Sequence, residues 1–171
     1  MQLKKIGVIA GAFDPMHDGH INFIHESIKK YSLDKVLILI EERSKHKPSF
    51  ADSSHRKKIV ELSIKNDPNI EIYQTRTASF PISSTLPELK TKYKAKFYLL
   101  VGNDVSEHIL SWPDSDGLLS GVELVVADRG EDNRHKRISS GKVRQQIKNK
   151  SNVVDMQEDA LNYCLSKGLY K

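Results

Sequence analysis

Short apolar runs alternate along this chain with longer stretches in which apolar positions are spaced for one helical face. Strands are predicted near 4–10, 35–40, 69–74, 96–101 and 121–127, and helices near 20–31, 53–66, 84–93, 103–110, 139–149 and 156–167. In the first helix Ile21, Ile24 and Ile28 share a face. The runs VLILI (36–40), FYLLV (97–101) and VELVVA (122–127) are almost continuously apolar, the pattern of parallel strands covered on both sides. Strand and helix in alternation predict an α/β fold: a doubly wound, mostly parallel sheet with helices on both faces. Polar loops at 42–52 and 128–138 do not separate halves that could each bury a core, so residues 1–171 are expected to form a single domain.

Composition narrows the class without choosing a function. With 171 residues, 38% hydrophobic and 29% charged, the chain can build a sizeable core. Its longest apolar runs fall far short of a membrane span and no signal-peptide segment opens it, so a cytoplasmic protein without membrane contact is expected. Cys164 is the only cysteine, which rules out an internal disulfide and a thiolate metal cluster. A net charge of +5 suits nucleic acid or a site holding several phosphates equally well.

The chemistry concentrates in GAFDPMHDGH, residues 11–20, between the first strand and the first helix. In an open α/β sheet such a turn lies at the carboxyl ends of the strands, where ligands bind. Gly11 is read as the residue that lets the chain turn tightly and a ligand approach the backbone, with the first helix amides offering an anion site. Asp14-Pro15 fixes the bend. His17 and His20, three apart, can both turn ring nitrogens toward a bound anion. Taken singly, these residues also suit a capped surface turn. A zinc site of His17, His20 and His25 is disfavoured, because their spacing does not hold all three rings on one face. A second stretch, ISSGKVRQQI at 138–147, opens a helix. Ser139 and Ser140 can cap it while offering hydroxyls and amides to phosphate oxygens, and Arg144 adds a fork of donors about one turn on.

GAFDPMHDGH resembles the G-x-F-D-P-x-H-x-G-H signature of the nucleotidylyltransferase superfamily, and ISSGKVRQQI resembles its I-S-S-T-x-[IV]-R. Within that superfamily the chain is most similar to the nicotinate-nucleotide adenylyltransferase family. KHKP (45–48), SSHRKKIVELSIKNDPNIEI (53–72), LLVGNDVSEHILSWPDSDGLL (99–119) and the ending LNYCLSKGLYK resemble segments of that family. The resemblance implies a Rossmann-like enzyme that joins the adenylyl group of ATP to a pyridine mononucleotide and releases pyrophosphate, in NAD biosynthesis. It implies catalytic roles for His17, His20 and Arg144, and an ATP site that adds Gly11, Ala12, Phe13, Gly19, Gly102, Asp104, Ile138, Ser139 and Ser140. His46, Lys47, Ser79, Phe80 and Trp112 would receive the mononucleotide, Trp112 by stacking on its ring. Mg²⁺ would enter on the ATP phosphates, with no dedicated protein ligands.

The sequence also departs from the family pattern. Ala10 and Ala12 stand where a glycine and a hydroxyl residue are usual, Pro81 replaces a threonine in SFPISSTL, and Gly141 replaces the threonine of the second signature. Acid, amide or another mononucleotide therefore stays open as acceptor, as do pantetheine-phosphate adenylyltransferase and other cytidylyl or adenylyl transfer. A non-catalytic nucleotide-binding or nucleic-acid-binding protein on the same fold is the alternative of another class. With one Trp and no RNA-binding motif, a nucleic-acid partner is not expected, and a homo-oligomer stays open.

Overall fold

β-Branched and leucine side chains dominate the strand segments, where both sides of the backbone must be filled. The computed structural model describes residues 4–41, 50–74, 82–111, 115–127 and 138–171. Five strands form: β1 (Lys5–Gly11), β2 (Lys35–Ile40), β3 (Ile70–Ile72), β4 (Lys96–Val101) and β5 (Glu123–Val126). They make one sheet in the order β3-β2-β1-β4-β5, with β1–β4, β2–β3 and β4–β5 paired in parallel. The winding runs outward from β1 through β2 to β3, then restarts on the other side of β1. Right-handed crossovers then leave the sheet by opposite faces, as in a doubly wound Rossmann-like fold.

The helices are α1 (Asp18–Tyr31), α2 (Ser53–Ile64), α3 (Ile82–Tyr93), α4 (Asn103–Ser106), α5 (Ser115–Leu119), α6 (Ser140–Lys148) and α7 (Glu158–Ser166). Most match the apolar spacing to within two residues. The stretch predicted as one helix at 103–110 is instead α4 followed by a 3-10 turn at Ile109–Ser111. Ser106 and Ser111 each donate a hydroxyl to the carbonyl three residues back, at 2.8 and 2.6 Å, a local bond that competes with continued helix. α5 lies outside the predicted helices; it buries Leu118. VELVVA does not sit between two layers. β5 is an edge strand in which Val125 is buried while Leu124 and Val126 are exposed.

Two compact units divide the chain. The first gathers Met1–Ala10, Ile24–Leu39 and Pro68–Asp128, hence most of the sheet. Its core is built from Ile6, Val8, Leu37, Leu39, Phe97, Leu99 and Val101, covered by Leu86, Leu89, Ile109 and Leu118. Gly7 is required there, since a Cβ would stand 2.7 Å from Leu100 Cδ1 and 2.9 Å from Leu33 Cδ1. The second unit gathers Gly11–Phe23, Ile40–Asp67 and Arg129–Lys171. There α2 packs on α7 with Ile59, Val60, Ala160 and Cys164 buried, while α6 buries Val143 and Ile147. Among the described residues no helix is long and apolar enough to cross a membrane.

Candidate active site

β1 delivers the chain into a turn whose tightest residue is not a glycine. Phe13 takes a left-handed backbone, φ 47, at a cost of roughly 1–2 kcal/mol for a residue with a Cβ. Gly11 does not: its φ is ordinary, and a Cβ there would meet the Phe13 ring at 3.5 Å, normal packing distance. The role expected of Gly11 in turning the chain thus falls to Phe13, whose buried ring anchors the strained position.

His17 and His20 form a compact pair. Their rings stack with centroids 3.7 Å apart at 28°, and the His20 and Phe13 rings lie at 71° to each other with centroids 5.3 Å apart. His17 precedes α1, and its carbonyl accepts the His20 amide at 2.9 Å. In return the His17 amide donates to His20 Nδ1 at 3.2 Å, one half of a capping box, with imidazole in place of the carboxylate that reaches back to the first residue. An amide can only donate, so His20 Nδ1 carries a lone pair and the neutral ring holds its proton on Nε2. Burial holds the His17 imidazole down at about 4; burial, then the charge of His17, holds His20 well below the ordinary histidine value. Both rings are therefore neutral near pH 7. His17 is 7% exposed, and its Nδ1 is buried with no hydrogen-bond partner among the described residues.

Gly19 is needed for this pair, because a Cβ there would lie 3.0 Å from His17 Nδ1. The Ile138 Cβ lies 3.7 Å from the same point. The α1 N-terminus offers less to a ligand than its sequence implies. The Asp18 amide is taken by the Asp155 carbonyl at 2.9 Å, and the His20 amide by His17.

The second stretch meets the first within the same unit. Ser139 caps α6, its side chain accepting from the Lys142 amide at 3.3 Å. The Ser140 hydroxyl, expected to face phosphate, donates to the Pro15 carbonyl at 2.8 Å, so its backbone amide is what it has left to offer an anion. Arg144 donates one guanidinium nitrogen to the Asp14 carbonyl at 2.5 Å and lies 3.9 Å over the Phe50 ring. The unit so brings together two neutral imidazoles, a helix N-terminus and a guanidinium, a set of donors suited to a polyanion.

Gly102 caps α4 and Asp104 lies within it, in the first unit. His46, Lys47, Ser79, Phe80 and Trp112 lie outside the described residues. Sequence reasoning missed Arg56, which is fully buried and donates to the carbonyls of Ala12, Glu41 and Ala51 at 2.6, 2.7 and 3.1 Å. The signal was present: Arg56 shares one face of α2 with Ile59, Val60 and Ser63, all buried. Among the described residues no three His, Cys, Asp or Glu side chains cluster to hold a metal ion.

A parallel sheet whose first strand feeds a turn and helix of this kind defines a Rossmann-like α/β protein, and the turn, the capped helix and the arginine gather donors of the kind a polyanion needs. The family model described as cytidylyltransferase-like matches residues 8–146. A probable nicotinate-nucleotide adenylyltransferase of Campylobacter jejuni is 34% identical over 132 residues, 74% of this chain and 73% of that protein. The nicotinate-nucleotide adenylyltransferase of Bacillus subtilis is 27% identical over 133 residues, 74% of this chain and 70% of its own length. In fold, the chain is similar to the Plasmodium falciparum nicotinic acid mononucleotide adenylyltransferase complexed with NaAD, with TM-score 0.81, 16% identity and coverage of 98% and 97%. The chain belongs to the cytidylyltransferase-like family, in its nicotinate-nucleotide adenylyltransferase branch.

Proposed function

We propose that the chain transfers the adenylyl group of ATP to nicotinate mononucleotide, giving the dinucleotide and pyrophosphate for NAD biosynthesis. The observation that carries this reading is the convergence of the stacked His17–His20 pair with the α6 N-terminus and Arg144. Relatives named for this activity, similar over three-quarters of the chain, supply the acceptor.

The acceptor's phosphate is already anionic near pH 7, so the reaction needs no strong general base. One of its oxygens forms a bond to the α-phosphorus of ATP, while the bond from that phosphorus to the bridging oxygen breaks and pyrophosphate leaves with the electron pair. What the protein must supply is in-line positioning of two anions and stabilisation of charge. His20 Nε2–H is a neutral donor that can be aimed at a phosphate oxygen without first losing a hydration shell. Arg144 keeps its remaining guanidinium donors for the triphosphate, and the amides opening α6 complete that side. Mg²⁺, a hard cation, would arrive on phosphate oxygens and neutralise their charge, consistent with donors that are nitrogen rather than carboxylate. His46, Lys47 and Trp112 are assigned to the acceptor, and Gly102 and Asp104 to the adenosine.

A panel of acceptors tests the assignment. With ATP and Mg²⁺ present, pyrophosphate release should show the highest kcat/KM with nicotinate mononucleotide. Equal or better use of nicotinamide mononucleotide or phosphopantetheine would sink the acceptor assignment and leave adenylyl transfer standing.

A further inference from the structure

The guanidinium of Arg144 is held by two partners, and one carboxylate fixes both. It bonds the backbone carbonyl of Asp14 at 2.5 Å and stacks on Phe50 at 3.9 Å. The Asp14 side chain, buried at 5% exposure, accepts the Phe50 amide on Oδ2 at 2.7 Å, with the Ala51 amide at 3.5 Å. Phe50 itself is 56% exposed, so its ring is placed by that backbone bond and not by burial. The other oxygen of Asp14, Oδ1, accepts the buried hydroxyl of Tyr170 at 2.7 Å. Tyr170 reaches Asp14 from a left-handed backbone, φ 63, an unfavourable conformation for a bulky residue that persists only where its surroundings enforce it. Burial, with the bond to Asp14 and its charge, pushes the phenol above its ordinary range, so it stays a proton donor at any working pH.

We propose that Tyr170 is a positioning residue for ATP: by bonding the Asp14 carboxylate it fixes the Asp14 carbonyl and Phe50, and through them the plane of the Arg144 guanidinium. This rests on the proposed reading of Arg144 as a triphosphate contact. The role is distinct from simple anchoring, because an anchor would affect stability while leaving a folded protein's ATP site unchanged. It also accounts for a buried carboxylate in the turn, whose two oxygens are taken by the Phe50 amide and the Tyr170 hydroxyl.

The experiment is a double-mutant cycle of Tyr170→Phe and Arg144→Lys, read by ATP affinity in calorimetry and by KM for ATP in turnover. Tyr170→Phe removes one hydroxyl and keeps the ring, so the fold is expected to survive, with circular dichroism and a cooperative melt as the check. ATP affinity should fall about fivefold to tenfold, the scale of one net hydrogen bond, while acceptor KM changes little. Because the phenol acts through the arginine, Tyr170→Phe should add little on top of Arg144→Lys. Unchanged ATP affinity in folded Tyr170→Phe, or losses that add fully in the double variant, would overturn the proposal. Calorimetry separates this from the reaction itself: a protein that binds ATP but transfers nothing refutes the proposed function while still deciding whether Tyr170 sets the site.

Discussion

At the scale of single residues, the imidazole pair shows how burial and one backbone bond prepare neutral donors for a charged ligand. Stacking at 3.7 Å is tolerable for two neutral rings and unfavourable for two imidazolium ions, which is consistent with the depressed basicity of both. Stability should report this. A histidine at 6.5 in the unfolded chain and about 4 when folded makes the unfolded state bind more protons between those values, so stability is complete above about pH 6.5 and is lost as pH falls toward 4. For His17 alone the loss is on the order of 3 kcal/mol. Urea unfolding at pH 7 and pH 5 should show a marked loss in the wild type and a smaller one in His17→Gln. An identical pH dependence in both would remove His17 as the cause.

At the scale of elements, periodicity exposed most of the architecture and concealed what depends on partners distant in sequence. Strands were legible as short, almost continuous apolar runs and longer helices as apolar faces repeating at 3.6 residues; α5 was not, because five residues hold too little pattern. The turn at 11–20 and the cap at Ser139 were readable as chemistry. Occupation of the Ser140 hydroxyl by Pro15 and of the Asp18 amide by Asp155 was not, since each partner lies more than a hundred residues away. Arg56 was hidden by convention, its basic neighbours suggesting a solvated face although its spacing placed it on the buried one. The α6 cap yields a prediction at this scale. Ser139→Ala should cost about 1 kcal/mol in chemical denaturation and weaken ATP binding as the first turn frays. Intact stability with full ATP affinity would place the cap outside the site.

At the scale of the whole molecule, the chain has separate demands for its two substrates. His17, His20, the α6 N-terminus and Arg144 all belong to one unit, together with the segments that flank 42–49, whose His46 and Lys47 are assigned to the acceptor phosphate. If Trp112 stacks on the pyridine ring, Trp112→Ala raises the acceptor KM more than that of ATP and penalises pyridine nucleotides selectively, whereas Lys47→Ala weakens every mononucleotide alike. A tryptophan that only fills the core would instead show as a stability loss of about 3–5 kcal/mol with both KM values moved together. Steady-state kinetics on the two variants, with melts alongside, distinguish these outcomes.

The central claim is that two neutral histidines and Arg144 hold ATP for attack by a mononucleotide phosphate. The most direct measurement is identification of products by mass spectrometry after incubation with ATP, Mg²⁺ and nicotinate mononucleotide, in wild type and in folded His20→Ala. Nicotinate adenine dinucleotide and pyrophosphate should form in equal amounts, with the rate in His20→Ala lower by about a hundredfold, the scale of losing one preorganised donor. Pyrophosphate accompanied by AMP without dinucleotide, or undiminished dinucleotide formation by His20→Ala, would contradict it.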